Sequence, residues 1–143
     1  MAVALAATGR PYLLSFVIRP DGTLLDGTPL GEAFARIDAR AEPSPTAYLI
    51  NCTHPQFVRS ALASENQAPS AVRARLLGAL GNTAALSPEA LDGLDHLVEE
   101  EPARFAQAMI DLQRDFGLAL LGGCCGTDDR HIRALAERLT QTP

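Results

Sequence analysis

Three cysteines carry most of the chemistry that this sequence offers. Cys124 and Cys125 are adjacent and set among glycines, in Gly122-Gly123-Cys124-Cys125-Gly126. Cys52 follows Asn51, directly after the apolar run Ala47-Tyr48-Leu49-Ile50. Three sulfurs converging from separate strand ends make a metal site with one position left open. Zinc favours thiolates, at about 2.3 Å and usually four ligands in all. Tetrahedral sulfur coordination suits it better than magnesium or calcium, which prefer oxygen. Three thiolates around a dication leave one net negative charge. An incoming thiol at the open position loses its proton there and stays nucleophilic. On spacing alone, metal binding competes with two other readings: small buried hydrophobes and thiol-redox chemistry. The spacing is not that of a zinc finger, and there is no Cys-x-x-Cys.

Other polar residues are open to more than one role. His54, two residues after Cys52, could be a fourth ligand, a hydrogen-bonding partner behind the ligands, or a helix-start residue facing solvent. His131 reads as a surface or packing histidine of the last helix, and His96 has no assigned role. Glu99-Glu100-Glu101 reads as a solvated charge run leading into a helix. Asn51 and Asn82 both follow strands, and each either touches a substrate or hydrogen-bonds the loops. No Gly-x-Gly-x-x-Gly follows a strand, which disfavours hydride transfer. Serine hydrolysis lacks a nucleophile elbow.

The elements that must place the cysteines alternate along the chain. Tyr12 to Ile18 reads as a buried strand, nearly continuous in apolar character. Thr28-Pro29 reads as an N-cap and a first-turn proline for a helix from Leu30 to Arg40. Ala47 to Asn51 is a second strand. Thr53 to Gln56 can form a capping box for a helix bearing Phe57, Val58, Ala61 and Leu62. Leu76 to Leu80 is a third strand, ended by Gly81-Asn82, and Ser87-Pro88-Glu89 starts a short helix. Pro102 to Phe116 is the clearest helix, with Phe105, Met109, Leu112 and Phe116 as its stripe and Gly117 as its C-cap. Leu118 to Leu121 is the fourth strand. Thr127 caps a last helix with Ile132, Leu135, Ala136 and Leu139 inward.

Strand followed by helix, four times, predicts an α/β fold with a parallel sheet and right-handed crossovers. In such folds the C-terminal strand ends share one face, where sites are built. Adjacent cysteines on a regular strand would point to opposite faces. The glycines permit a turn that aims both sulfurs at one ion.

Composition narrows the remaining classes. The chain has 143 residues, 47% of them hydrophobic, which suffices for one domain with a real core. The formal charge is −5, and all 12 basic residues are arginine. With no lysine there is no Schiff-base or lysine general-base chemistry. The arginines are scattered, so no nucleic-acid footprint is expected. No apolar run approaches the roughly 20 residues that span a bilayer. Met1 to Gly9 lacks a basic stretch before its apolar residues, a poor fit to a signal peptide. Reduced thiols in the cytoplasm are the expectation.

Gly122-Gly123-Cys124-Cys125-Gly126-Thr127, with His131-Ile132 after it, resembles the most specific signature of the homocysteine S-methyltransferase family. Asn51-Cys52 resembles that family's earlier zinc-cysteine motif. Pro11 to Leu30 is similar to its fifth strand and the helix start after it, and Gly81-Asn82-Thr83 to the end of its seventh. The resemblance covers nearly the whole chain and implies zinc thiolates at Cys52, Cys124 and Cys125. It also implies methyl transfer to the sulfur of homocysteine or a related thiol or selenol, from a donor the sequence does not choose. The family fold is a (β/α)₈ barrel of about 250 residues, so this chain corresponds to a partial barrel of about four β/α units, a single half-barrel domain over 1–143. The acidic residues that hold the homocysteine amino group belong largely to the other half. A half barrel leaves edges to be covered, by a homodimer or by a separately encoded N-terminal half. The alternative is a catalytically inactive zinc-binding half-domain with an interaction or structural role.

Overall fold

The computed structural model describes residues 1–64, 70–96 and 98–141. Four strands, β1 (Leu13–Phe16), β2 (Ala47–Thr53), β3 (Leu76–Gly81) and β4 (Leu120–Gly123), form one sheet in the order β1-β2-β3-β4. Every pairing is parallel, with Phe16 beside Ile50, Ile50 beside Ala79, and Ala79 beside Leu121. Seven helices are described: α1 (Ala2–Ala6), α2 (Leu30–Asp38), α3 (Pro55–Ala63), α4 (Ser70–Arg73), α5 (Pro88–Leu91), α6 (Pro102–Phe116) and α7 (Asp129–Gln141). Each strand is followed by helix, and α6 packs against both α3 and α7. The parallel α/β sheet is the one expected from the alternation, and the arrangement is consistent with the partial β/α barrel that the family resemblance implies.

The core explains why the elements stay in place. Tyr48, Ile50, Phe34, Val58, Leu62, Phe105, Met109 and Leu112 are all essentially removed from water. The Phe34 and Tyr48 rings stack at 3.8 Å between centroids. Tyr48 donates its hydroxyl to Asp38 at 2.7 Å, and Arg75 donates to the same carboxylate at 3.0 Å. That polar pairing lets the Tyr48 ring be buried without stranding its oxygen. Burial, reinforced by the Asp38 bond, raises the Tyr48 pKa well above its usual range. Gly117 closes α6 in the left-handed conformation, at φ 73°, as its position predicts.

Several boundaries differ from the sequence reading. β1 is only Leu13–Phe16 and alternates in burial, with Leu13 exposed. As an edge strand it is covered by sheet on one side only. β4 begins two residues late, at Leu120, and runs through Gly122-Gly123. α2 starts at Leu30 with Pro29 in the cap position, because Thr28 is engaged in the turn closed by Asp26. No capping box forms at Thr53: its hydroxyl donates to the Asn51 carbonyl, and His54 caps α3 instead. Thr127 does not cap α7, since its hydroxyl donates to the Cys124 carbonyl at 2.7 Å. Asp128 takes that part, accepting from the Arg130 amide at 2.9 Å. The inward face of α7 is also rotated: His131 and Leu135 are buried, while Ile132 is 45% exposed.

Candidate metal centre

β2 ends in an irregularity that places Cys52. The register shifts between Asn51 and Thr53, and Cys52 sits at φ 48°. A non-glycine residue there carries a steric cost and occurs where the surroundings impose it. Here they do. Asn82 donates its Nδ2 to the Cys52 carbonyl at 3.3 Å, and its backbone N–H to the Thr53 carbonyl at 3.3 Å. Thr53 Oγ1 accepts from the Ile18 amide at 3.2 Å. The bulge breaks strand alternation, so Cys52 is aimed independently of Asn51 and Thr53.

β4 ends in a tight turn that places the other two sulfurs. The Thr127 amide bonds the Cys124 carbonyl at 3.2 Å, closing Cys124-Cys125-Gly126-Thr127. Gly126 holds φ 80° at the third position of that turn, a conformation suited to glycine. A Cβ on Gly126 would run into Thr83 Oγ1. The turn is also tied to β3. The Cys124 amide donates to the Gly81 carbonyl at 2.7 Å, and the Thr83 amide donates to the Cys125 carbonyl at 3.2 Å.

The three sulfurs converge. Their Sγ atoms all lie within 4.8 Å of one another, with Cys52 and Cys125 at 3.9 Å. Cys52 and Cys124 are joined as a disulfide with Cα atoms 5.4 Å apart, and Cys125 is free and exposed. Sulfurs this close pair as a disulfide when oxidised and are available to an ion when reduced. Reduced, the donor set fits zinc: tetrahedral thiolates at about 2.3 Å from the ion stand about 3.8 Å from one another. A cavity of about 330 Å³ adjoins the sulfurs, lined by Val17, Cys52, Asn82, Leu91, Val98 and Cys125 among others. Asn82 is 2% exposed, and its Oδ1 is a buried acceptor without a hydrogen bond. A polar ligand in this cavity would supply the missing partner.

Of the three histidines, His54 and His131 are buried. His54 is buried, its Nδ1 accepting from the Gln56 amide at 3.2 Å and its Nε2 lying 3.2 Å from Glu100 Oε2. His131 is fully buried, against the edge of the Phe105 ring. Its Nε2 donates to the Glu100 carbonyl at 2.9 Å, and its Nδ1 lies 2.8 Å from Asp128 Oδ1. Arg130, and then His131, hold the Asp128 carboxyl well below the usual carboxylate range. His96 is exposed and pairs with Asp95. Glu100 corrects the reading of 99–101 as a solvated run: its side chain is only 19% exposed. No local pattern in the sequence marks its burial, since the two histidines it meets, His54 and His131, lie 46 and 31 residues away.

A second groove, of about 370 Å³, lies along β1 and α2, lined by Leu14, Phe16, Leu24 and Ile37 with Arg36 and Arg40. It is larger but holds none of the cysteines. No described helix is long and apolar enough to cross a membrane.

Comparison with known proteins gives the family. The family model for homocysteine S-methyltransferase matches residues 1–139. Methionine synthase from Mycobacterium leprae (strain TN) is 31% identical over 136 residues, which are 93% of this chain and 10% of that protein. Methionine synthase from Mycobacterium tuberculosis (strain ATCC 25618 / H37Rv) is 30% identical over 136 residues, 93% of this chain and 11% of that protein. The chain thus spans about a tenth of the length of these relatives. By its cysteine-bearing strand ends and by the match over nearly its whole length, the chain belongs to the homocysteine S-methyltransferase family.

Proposed function

We propose that residues 1–143 form one half-barrel domain, the sulfur-activating half of a unit that transfers a methyl group to the thiol of homocysteine or a related thiol or selenol. Cys52, Cys124 and Cys125 would hold Zn²⁺. The observation that carries this reading is the approach of the three sulfurs within 4.8 Å of one another at the ends of β2 and β4, in a member of this family. When bound, zinc supplies a Lewis acid at which a thiol is held deprotonated and nucleophilic. The chain's own residues do the rest. The bulge at Cys52 and the Gly126 turn fix the sulfurs in space, and the mostly apolar cavity wall limits water beside them. Asn82 Oδ1 offers an acceptor to a ligand in that cavity. The thiolate form calls for a reducing compartment, such as the cytoplasm.

The other half of the site is to be supplied. β1 and β4 are the two edges of the sheet, and Leu13 and Ser15 of β1 are exposed. Four further β/α units would cover both edges, whether carried on the same polypeptide, on a separate chain or by a second copy. A second reading, a zinc-binding half-domain without turnover, draws on the cavity itself. None of its described lining residues is a carboxylate that could hold an amino-acid ammonium group.

The test is a methyl-transfer assay with homocysteine and candidate donors, on the chain alone and with the first four β/α units of a family member added. Placement of donor carbon and acceptor sulfur contributes several kcal/mol to such a reaction. The expected result is little turnover alone and a large gain on addition, abolished by Cys52→Ser. Efficient turnover by the chain alone would overturn the half-site reading. Failure with every added half, with zinc bound, would favour the half-domain without turnover.

A further inference from the structure

We infer that Glu100 is a positioning residue for the thiolate site: one residue of the segment before α6 holds His54, just after Cys52, with its side chain and His131, in the first turn of α7 beyond the Cys124-Cys125 turn, with its backbone. The inference rests on the metal reading above and concerns what holds the donor set to size.

The clamp is a chain of hydrogen bonds that no single element contains. The Gln56 amide donates to His54 Nδ1, so His54 Nε2 carries the proton and donates to Glu100 Oε2 at 3.2 Å. His54 stands two residues after Cys52 and caps the helix that follows it. On the other side, a carbonyl only accepts, so His131 Nε2 donates to the Glu100 carbonyl at 2.9 Å. His131 lies in the first turns of α7, six residues after Cys125 and beyond the turn that closes on Thr127. Neighbouring residues lash the same segment down. Thr83 Oγ1 donates to the Val98 carbonyl at 2.9 Å, and Arg130 reaches Glu99 at 3.4 Å.

Burial gives the clamp its weight. The His54 side chain is 7% exposed and that of His131 is 0% exposed. A buried polar group left without its partner costs more than the bond itself was worth. His54 therefore has strong reason to stay against Glu100, and it carries the Cys52 end of β2 with it. Arg104, mostly exposed, also lies 3.9 Å from the Glu100 carboxylate. Inside the site the two cysteine loops are also joined by backbone bonds to residues 81–83. Those bonds fix the carbonyls and amides of the loops. Glu100 closes the bracket from outside and limits how far the Cys52 loop can swing from the other sulfurs. Groups behind the ligands of a metal site commonly alter affinity by ten- to a hundredfold, and pre-ordering the donors is the cause available here.

Cobalt(II) titration of the reduced full chain, read by its thiolate charge-transfer and ligand-field bands, tests this. Glu100→Ala is expected to weaken cobalt binding on the order of tenfold and to alter the ligand-field bands. Glu100→Gln keeps an acceptor for His54 and should restore both the affinity and the spectrum. His54→Asn cuts the same bond from the other end while keeping a good helix cap, so it should reproduce the Glu100→Ala loss even if that variant folds poorly. Val72→Ala, destabilised in the core away from the site, should lower the melting temperature and leave affinity and spectrum as they were. A metal-free readout is the equilibrium between the Cys52–Cys124 disulfide and glutathione, which Glu100→Ala should shift toward the separated thiols by several-fold. Native affinity, bands and disulfide equilibrium in both Glu100→Ala and His54→Asn would overturn the inference, as would equal changes in Val72→Ala. Should the unaltered chain bind no cobalt while the disulfide equilibrium still shifts in the two clamp variants, the metal reading falls and the positioning role stands.

Discussion

The side-chain amide of Asn82 donates to the carbonyl of Cys52 at 3.3 Å, while its own oxygen, Oδ1, stays buried without a partner. The residue thus steadies a strained backbone and keeps one polar atom in reserve beside the sulfurs. Asn82→Ala should leave the Cys52 carbonyl without this donor and cost about 1–3 kcal/mol of stability, read from the urea midpoint of the metal-free chain. An unchanged midpoint would show that the bulge does not need the amide.

Each of Cys52→Ser, Cys124→Ser and Cys125→Ser should bring zinc, near one per chain after purification under reducing conditions, down sharply. Elemental analysis of the purified protein checks this. Zinc should also raise the melting temperature of the unaltered reduced chain, because a ligand that binds only the native state stabilises it. Full zinc content in Cys124→Ser and Cys125→Ser would remove those residues from the ligand set.

Gly126→Ala should be costly for two reasons that add at one position. The φ of 80° suits glycine, and the new Cβ would strike Thr83 Oγ1. A loss of about 1–3 kcal/mol for the backbone conformation alone should appear as a lowered melting temperature. Zinc affinity should fall with it, since the turn aims Cys124 and Cys125. Gly9→Ala, at φ 66° with nothing near its Cβ, separates the two causes: it should show the conformational cost and keep zinc affinity.

Acid should weaken the start of α7. The Asp128 carboxyl is depressed by Arg130 and then by His131. A group whose folded pKa lies below its unfolded value contributes stability above the unfolded value, near pH 4. That contribution is lost as pH falls through the folded value. The melting temperature of the unaltered chain should therefore exceed that of Asp128→Asn at pH 6, and the gap should narrow toward pH 2. A gap independent of pH would refute the assignment.

Much of the fold is legible in the sequence because each element announces itself locally. Apolar runs give the cores of β2 and β3, and Pro102 with Gly117 brackets α6 by capping rules that act within a few residues. The cysteines are legible for a similar reason: their type and the glycines beside Cys124 and Cys125 imply a turn at a strand end. What the sequence hides depends on contacts distant along the chain. Glu100 is ordinary where it stands, and the partners of His54 and His131 become visible only when α6 and α7 pack. The continuous apolar look of Tyr12 to Ile18 suggests a fully buried strand, whereas β1 is an edge strand in which Leu13 and Ser15 are exposed. Ile132 is drawn inward by pattern alone, yet His131 takes the inner position because the Glu100 carbonyl and the Phe105 ring receive it.

The end of β3 contributes no sulfur, yet Gly81, Asn82 and Thr83 bond the backbone of both cysteine-bearing loops. Neither loop can drift without breaking a bond to that shared middle strand. The amides of Asn82, Thr83 and Cys124 should consequently lose their protection from hydrogen exchange together, in one cooperative opening. The donor set then behaves as a single hinged unit whose pivot is a segment that a search for metal-binding residues would pass over.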